Sequence, residues 1–557
     1  MLPGYSANRP RIARREWRNV AWFALAVMTL TTLPYLVGWA AQRSDWRFGW
    51  FMFGLDDGNS YLAKMRQGAV DGWLFHIVYT SEPHDGAFLF TPYLAAGKVA
   101  ALVAPPSSPA FVDAMLLVFH ASRIAAGVLL IFVLYRFMAT FLVRRSLRWL
   151  ALTLVCLGGG LGWLLTLLGL GSWLGSLPVD LYLPEGYTFY LLYGLPHLSL
   201  ARAALLGGLL LAFRALACDS LRQWIGWSAL AGLCWLVMGL CVPFYIAVLY
   251  AILGVWGLAA LLRARRFPVR LFGRCVVAAA IPAPLLLYNV IVFATNPVLG
   301  AWSAQNVLPS PHPLHYLFGY GLLAVLALPA IRWAWRRGQH SAAHLLLIAW
   351  VLAGPALAYL PINVQRRFLE GIFVPLCILA AFGLRLWWIV DVARRYRRRL
   401  RVSWRLAMLI VLLLALPTNA LLLLSGTLAA QSPNPTNRLF HRPVEMAALD
   451  YLNVNAPADS IVLTDFDTGN YLPARTSLRV VIGHGPETIR LDEKREQVRR
   501  FFDGEMSAEE QQALLRMYNV RYIIFPAGHS GPPSPYYAQV WGEGGYFVYE
   551  VNRAAVG

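Results

Sequence analysis

Long runs of apolar residues, separated by short polar stretches, fill the first 430 residues of the chain. A run of about 20 apolar residues is long enough for an α-helix to cross the roughly 30 Å hydrocarbon core of a bilayer. We therefore predict a mostly α-helical, polytopic transmembrane bundle with about 11 spans. The predicted spans lie near residues 20–41, 113–135, 149–170, 197–217, 224–241, 244–262, 271–293, 314–331, 343–360, 371–390 and 404–426.

The positions of the arginines predict how this bundle is oriented. Tight arginine clusters precede the first span and occupy four of the loops between spans, whereas the intervening loops are far less basic. Because basic loops stay in the cytoplasm, we predict a multi-pass protein of the plasma (inner) membrane with a cytoplasmic N-terminus. The long loop 42–112 and the chain after Ser425 then lie outside the cytoplasm. The basic clusters are Arg9, Arg11, Arg14, Arg15 and Arg18 at the N-terminus and the loops 136–148, 263–274, 332–337 and 394–401.

The last part of the chain has the pattern of a soluble domain. It begins at about Gln431 with the linker QSPNPTN, whose prolines and asparagines resist regular structure. Strand-like and helix-like segments alternate after it, so we predict a transmembrane domain over 1–430 and a small extracytoplasmic α/β domain over 431–557. Strands are predicted at Ser460–Thr464, Arg479–Ile482, Arg521–Phe525 and Tyr546–Val551, and helices at Val444–Asn453, Arg490–Phe502 and Ala508–Tyr518, the last opened by a capping-box pair, Ser507 and Glu510.

Composition excludes two classes of function. The net charge of +20 would indicate nucleic acid binding in a soluble chain, but 58% of the residues are hydrophobic and the arginines lie in short loops beside spans. Membrane orientation explains them, so we expect membrane lipids as neighbours and no nucleic acid partner. The 6 cysteines lie in or beside apolar runs without a CxxC pair, which predicts neither disulfides nor a cysteine metal site.

The acidic residues of interest lie in the first external loop, which contains FGLDDGNSYLAKMRQ. Tyr61, Leu62, Met65 and Ala69 have helical spacing, which predicts an amphipathic helix over residues 60–70 along the membrane surface. Two interpretations of the acids that precede it stay open. Asp56, Asp57 and Asn59 could cap the helix, or the acids could carry chemistry.

Arg366 and Arg367, in PINVQRRFLEG, lie on the side of the membrane where the other loops carry few basic residues. An anionic, lipid-linked ligand would explain arginines placed against the positive-inside trend. Anchoring to lipid headgroups at a helix end is the alternative.

The order of features in residues 20–112 resembles that of the GT-C superfamily of membrane glycosyltransferases, which use polyprenyl-phosphate-linked sugars. These features are a first span that enters from the cytoplasm, an external loop opening with an acidic pair, an interfacial helix, a Glu-Pro segment and a Pro-Tyr element. The resemblance implies that Asp56 is the catalytic acid, with Asp57 as its neighbour. Glu82 in SEPHDG matches the second acidic segment of the family, but Pro83 and His84 follow where Lys-Pro is frequent.

The resemblance implies an inverting glycosyltransferase acting at the extracytoplasmic face. A lipid phosphate leaves as a weakly basic anion, so one base and a cationic clamp suffice. We assign Asp56 as the base that accepts the proton of an acceptor hydroxyl, and Arg366 and Arg367 as the phosphate clamp, assisted by Lys98. The partners are a polyprenyl-phosphate-sugar donor and an acceptor that is a protein, lipid or glycan.

Further residues and one further function stay open. Glu185 and His197, like His84, are candidates to line the same cavity, and DFDTGNYLPAR (465–475) reads as a turn or a ligand-binding loop. We predict no cofactor or metal, although Asp56, Asp57 and Glu82 are hard oxygen ligands that a divalent cation accepts. A transporter or flippase of a lipid-linked or anionic solute is the alternative function.

Overall fold

The computed structural model describes residues 12–337, 342–389, 403–526, 529, 531 and 533–556. Within these residues the chain forms two compact units, which we call the helical unit and the mixed unit. Arg9 and Arg11 of the N-terminal basic cluster, and the basic loop 394–401, lie outside the described residues. The helical unit comprises residues up to Thr32, Ser122–Asn289 and Leu308–Ser425, and the mixed unit comprises Leu33–Ala121, Val290–Val307 and the chain from Gly426.

Helices occupy all of the predicted span positions, and this confirms the polytopic helical class. Among the described helices, 6 are long and apolar enough to cross a membrane, and the number rises to 8 if each of two bent pairs is one span. The other predicted spans are two shorter apolar helices and a broken one at 149–170. The helices up to the last span are α1 (Arg14–Ala40), α2 (Leu55–Val70), α3 (Thr91–Ala101), α4 (Phe111–Phe141), α5 (Arg145–Leu157), α6 (Gly162–Leu167), α7 (Thr188–Gly194), α8 (Pro196–Ala217), α9 (Leu221–Cys241), α10 (Tyr245–Ala264), α11 (Val269–Ala280), α12 (Ala283–Thr295), α13 (Pro297–Gln305), α14 (Pro313–Arg337), α15 (Ala342–Ala358), α16 (Phe373–Ile389), α17 (Trp404–Ala415) and α18 (Pro417–Ala430).

One buried carboxylate stabilises two of the interruptions in the helical unit. The Asp180 carboxylate accepts hydrogen bonds from the backbone N–H groups of Gly160 (2.8 Å) and Gly162 (3.0 Å), in the break between α5 and α6. It also accepts a hydrogen bond from the Thr418 hydroxyl (2.7 Å), next to the 45° bend between α17 and α18. Backbone groups that a helix break frees inside a membrane bundle need such partners, because no water is present to bind them.

The mixed unit contains a five-stranded sheet in the order β4-β3-β5-β7-β6. Strand β3 pairs in parallel with β4 and β5, and the remaining pairs are antiparallel. The predicted strands and helices of the C-terminal region are confirmed, including the capping box at Ser507. The elements are β1 (Arg47–Phe48), β2 (Phe440–His441), α19 (Pro443–Asn455), β3 (Ile461–Leu463), α20 (Phe466–Arg475), β4 (Arg479–Val480), α21 (Leu491–Phe502), α22 (Ala508–Met517), β5 (Val520–Phe525), β6 (Tyr537–Glu543), β7 (Tyr546–Val551) and α23 (Arg553–Val556).

One strand of this unit was missed, and one local prediction is wrong. Strand β6 was not predicted, and the segment 465–475 is not a turn but helix α20. The Asp465 carboxylate caps α20 by accepting hydrogen bonds from the backbone N–H groups of Asp467 (2.9 Å) and Thr468 (3.1 Å). A capping aspartate followed by Asp, Gly and Asn has the composition of a turn, although it also begins a helix here.

Helix α2 of the first loop packs into the core of the mixed unit. It begins at Leu55, five residues before the predicted start, and Leu62 and Met65 of its apolar face are 1% and 0% exposed. These side chains belong to one hydrophobic core with Val462 and Leu472 of the C-terminal region. The predicted interfacial position is therefore wrong, because the apolar face already packs against protein.

A buried ion pair attaches α2 to the C-terminal region. The Lys64 Nζ atom lies 2.7 Å from Glu487 Oε1, and the two residues are 1% and 4% exposed. The ammonium also lies over the Phe90 ring, 4.3 Å from its centroid. Asn59 Nδ2 adds a hydrogen bond to Asn470 Oδ1 (2.8 Å). Residues of the first loop and of the C-terminal region, more than 400 positions apart in sequence, thus share one folded unit.

We predict that Lys64→Met destabilises the protein by about 3–5 kcal/mol, because it leaves the Glu487 carboxylate buried without its cation. Chemical unfolding of the detergent-solubilised chain measures the change. Arg499→Gln is the matched control, since Arg499 pairs only with exposed acids, and it should leave the unfolding midpoint unchanged. Equal effects of the two variants would contradict a structural role for the Lys64–Glu487 pair.

Candidate functional site

The acidic pair lies in the first turn of α2. Gly54 is the residue before the helix, and its left-handed backbone (φ 58°) provides no side-chain cap. Asp56 and Asp57 are inside the helix, so the capping interpretation is wrong for them, and Asn59 binds Asn470 instead. Carboxylates in a first turn are still favoured by the partial positive charge of the helix N-terminus.

Arg438, at the end of the linker before β2, bridges two carboxylates. Its Nη2 atom lies 2.5 Å from Asp56 Oδ1 and 2.9 Å from Asp467 Oδ1. The side chains of Asp56 and Arg438 are 36% and 43% exposed, so this cluster is open to solvent. Exposed ion pairs such as these contribute little to stability.

Asp57 contacts a buried histidine. His484 Nε2 lies 3.4 Å from Asp57 Oδ1, and the imidazole is 4% exposed. Burial alone would lower the pKa of His484, but the nearby carboxylates of Glu487 and Asp57 outweigh it and raise this pKa above its usual value. The imidazole of His484 thus lies between the Asp57 carboxylate, which it contacts, and the electrostatic influence of the buried Glu487.

The acids collect at the carboxyl ends of two parallel strands. Asp465 and Asp467 follow β3, and His484 follows β4, while α2 brings Asp56 and Asp57. Burial raises the pKa of Asp467, and the charges of Asp465 and Asp56 raise it further, whereas Arg438 opposes the rise. The carboxyl edge of parallel strands is a frequent place for ligand-binding residues.

Glu82 belongs to a separate cluster formed by the start of α21. Lys494 Nζ lies 2.7 Å from Glu82 Oε2, and Arg490 Nη2 lies 3.1 Å from Oε1. Burial would raise the pKa of Glu82, but hydrogen bonds from Lys494 and Thr80 lower it to about 2. A carboxylate held by two cations is a structural link between the loop and α21.

Two other predicted residues support the fold around the site. His84 accepts a hydrogen bond from the backbone N–H of Ile77 (2.9 Å), and burial lowers its pKa, so it is a neutral residue of a turn. Lys98 Nζ donates to the Gly68 carbonyl (2.8 Å) at the other end of α2. At 1.5 Å per residue, this lies about 18 Å along the helix from Asp56.

In the described parts of the chain, no group of three or more His, Cys, Asp or Glu side chains is placed to hold a metal ion. Asp56 and Asp57 are adjacent in α2, whereas Glu82 is bound by Lys494 and Arg490. The open alternative of one ligand set formed by these three acids therefore has no support in the geometry.

The two arginines lie in the helical unit, on a short 3₁₀ helix, Gln365–Leu369. The Arg366 guanidinium lies 4.9 Å from the centroid of the Tyr182 ring. Arg367 Nε lies 3.5 Å from Glu185 Oε1, and the two side chains are 36% and 7% exposed. Glu185 therefore lies beside Arg367.

A buried ion pair fixes the loops that carry these residues. Arg202 of α8 donates from Nε and Nη2 to the two oxygens of Glu370, each at 2.7 Å, and from Nη2 to the Glu185 carbonyl (2.6 Å). The Glu185 carbonyl also accepts a hydrogen bond from the Gly371 backbone N–H (3.1 Å). His197 lies half-buried in the first turn of the same helix. The sequence did not identify Glu370 as the partner of Arg202.

The fold has known relatives among solved structures. The oligosaccharyltransferase of Archaeoglobus fulgidus, tethered to an acceptor peptide with the NVT sequon, matches 90% of this chain and 69% of its own, with a TM-score of 0.51 and 14% identity. The same values hold for the archaeal oligosaccharyltransferase AglB from Archaeoglobus fulgidus in complex with an inhibitory peptide and a dolichol-phosphate. No family model matches the chain, and no curated protein matches it in sequence. The predicted polytopic helical fold is therefore shared with these archaeal oligosaccharyltransferases.

We predict that the stabilising effect of His484 depends on pH. Its folded pKa is raised, so its contribution is complete below the unfolded pKa of about 6.5 and is lost as pH rises through the folded pKa. The difference in unfolding free energy between wild type and His484→Gln should narrow as pH increases from about 6 to 9. Chemical unfolding at several pH values measures it, with the exposed His529→Gln as control. A difference that stays constant with pH would contradict a charged His484.

Proposed function

We propose that the protein is an inverting membrane glycosyltransferase that moves a sugar from a polyprenyl-phosphate-linked donor to an acceptor hydroxyl. The observation that carries the proposal is the half-exposed Asp56 carboxylate, held by Arg438 at the carboxyl edge of the sheet. Two structures of similar fold support the class of reaction, since one holds an acceptor peptide and the other a dolichol-phosphate.

The residues present fit a single displacement. The acceptor oxygen attacks the anomeric carbon, the bond from that carbon to the phosphate oxygen breaks, and the phosphate leaves with the electron pair. Asp56 takes the hydroxyl proton on Oδ2, while Arg438 holds Oδ1 by a charge-assisted hydrogen bond. Such a fixed hydrogen bond orients the carboxylate, so little reorganisation is needed during the reaction.

Arg366 and Arg367 bind the donor phosphate in this proposal. Guanidinium groups donate in a planar fork that matches phosphate oxygens, and they stay charged at any physiological pH. Stacking on Tyr182 holds Arg366, and the loop that carries both arginines ends at Glu370, whose carboxylate Arg202 binds. A loop anchored in this way is a better phosphate clamp than two freely rotating side chains, because less entropy is lost on binding.

A transporter or flippase of an anionic lipid is the second candidate. The observation in its favour is the pair of interrupted apolar segments, bent by 52° between α11 and α12 and by 45° between α17 and α18. The two candidates differ in products, because only a transferase releases free polyprenyl phosphate from a polyprenyl-phosphate sugar. Purified protein supplied with a panel of such donors distinguishes them.

We predict that Asp56→Asn lowers the turnover number by about 10²–10⁴-fold, the usual contribution of a general base. The measurement is release of polyprenyl phosphate by protein in lipid nanodiscs, with thermal unfolding to verify folding. Asp85→Asn removes an exposed carboxylate from the same loop and should keep wild-type turnover. Near-normal turnover in Asp56→Asn would exclude this residue as the base.

We predict that Arg366→Glu raises KM for the lipid-linked donor by about tenfold or more, because it places a negative charge beside the bound phosphate. The exposed Arg222→Glu changes the net charge equally and serves as control. Initial rates at varied donor concentration measure KM. If KM is unchanged, the arginine pair serves only to anchor the protein to lipid headgroups.

A further inference from the structure

Glu185 is buried but only loosely paired. Its side chain is 7% exposed, and its ion pair with Arg367 spans 3.5 Å. Charge-assisted hydrogen bonds between a guanidinium and a carboxylate are usually about 2.7–2.9 Å long. A carboxylate taken out of water is costly unless close partners compensate for the lost hydration. Stability alone therefore does not explain an acid at this position.

The Arg202–Glu370 pair shows the geometry of a stabilising ion pair in this unit. The two carboxylate oxygens of Glu370 accept from Nε and Nη2 of Arg202 at 2.7 Å each, and both side chains are almost fully buried. Arg202 also holds the Glu185 main chain through its carbonyl oxygen. The Glu185 backbone is thus held in place without using its side-chain carboxylate. That carboxylate is therefore available for another role.

We propose that Glu185 is an internal counter-ion, which occupies Arg367 until the anionic phosphate of a lipid-linked ligand displaces it. This inference rests on the proposed function, since it assigns a regulating residue to the same phosphate site. A phosphate oxygen and a carboxylate oxygen compete for the same guanidinium, so the ligand must offer better hydrogen bonds than the 3.5 Å contact.

The surroundings of Glu185 allow this exchange. Burial raises the pKa of the Glu185 carboxyl, and the charge of Glu370 raises it further, while Arg367 and Arg366 oppose the rise. Once Arg367 binds phosphate, the carboxyl loses its cation and can take up a proton. The exchange then leaves no bare charge in the protein interior, which keeps its cost low.

The test measures binding and needs no turnover. The full chain, in nanodiscs of zwitterionic lipid, is titrated with decaprenyl phosphate, with neutral decaprenol and with inorganic phosphate. Removing the competing carboxylate by Glu185→Gln should tighten decaprenyl phosphate binding by about three- to tenfold, and Arg367→Gln should weaken it by a similar factor. Asp219→Asn, which removes an exposed acid paired with Arg270, should bind as wild type does.

The outcomes separate this inference from the function it rests on. Unchanged or weaker binding by a folded Glu185→Gln overturns the counter-ion role, even if wild type binds the lipid phosphate. If inorganic phosphate and decaprenyl phosphate bind with equal affinity, and Glu185→Gln binds more tightly than wild type, the counter-ion role holds. The assignment of a lipid-linked donor is then overturned. If Glu185→Gln does not fold, Glu185→Asp is used instead: its shorter side chain draws the carboxylate away from Arg367, which should tighten binding to a smaller extent. Absence of that gain in a folded Glu185→Asp overturns the proposal.

Discussion

The architecture of the mixed unit depends on one buried ion pair, Lys64 with Glu487. Burying two charges costs several kcal/mol each in lost hydration, and only a close partner with further polar contacts recovers that cost. Here the ammonium has the carboxylate at 2.7 Å, the Ser60 hydroxyl and the face of Phe90. Separating the two residues would leave each buried charge without its partner, so the first loop and the C-terminal region must fold against each other.

This constraint explains where the candidate chemistry lies. Helix α2 carries Asp56 and Asp57 on its first turn, and its attachment brings them to the edge where β3 and β4 end. Several carboxylates at one edge repel one another, and Arg438 relieves the repulsion by bridging two of them. The packing of the two segments thus places the Asp56 carboxylate beside Arg438 in a cluster open to solvent.

The local sequence pattern predicted the helices and strands better than it predicted the contacts of the candidate site. Apolar runs located the spans, and β-rich segments located most strands, because burial leaves a periodic signal in sequence. The acids of the first loop were found because charged residues between apolar runs interrupt this pattern. Arg438, His484 and Glu487 were missed, because they act through partners more than 380 positions away and no local spacing encodes such contacts. Glu82 was predicted to be a catalytic acid, and it forms ion pairs with Lys494 of α21 and with Arg490, the residue before α21.

Hydrogen exchange in the full chain tests most directly whether the first loop and the C-terminal region form one cooperative unit. Loosening Glu487 by Glu487→Gln should speed exchange of the α2 amides and of the β3 and β4 amides together, since one opening event exposes all three. Helices of the helical unit, such as α8, provide the internal reference. If the α2 amides stay protected from hydrogen exchange while the β3 and β4 amides lose their protection, the first loop and the C-terminal region fold separately. Such a result would contradict this explanation of the site.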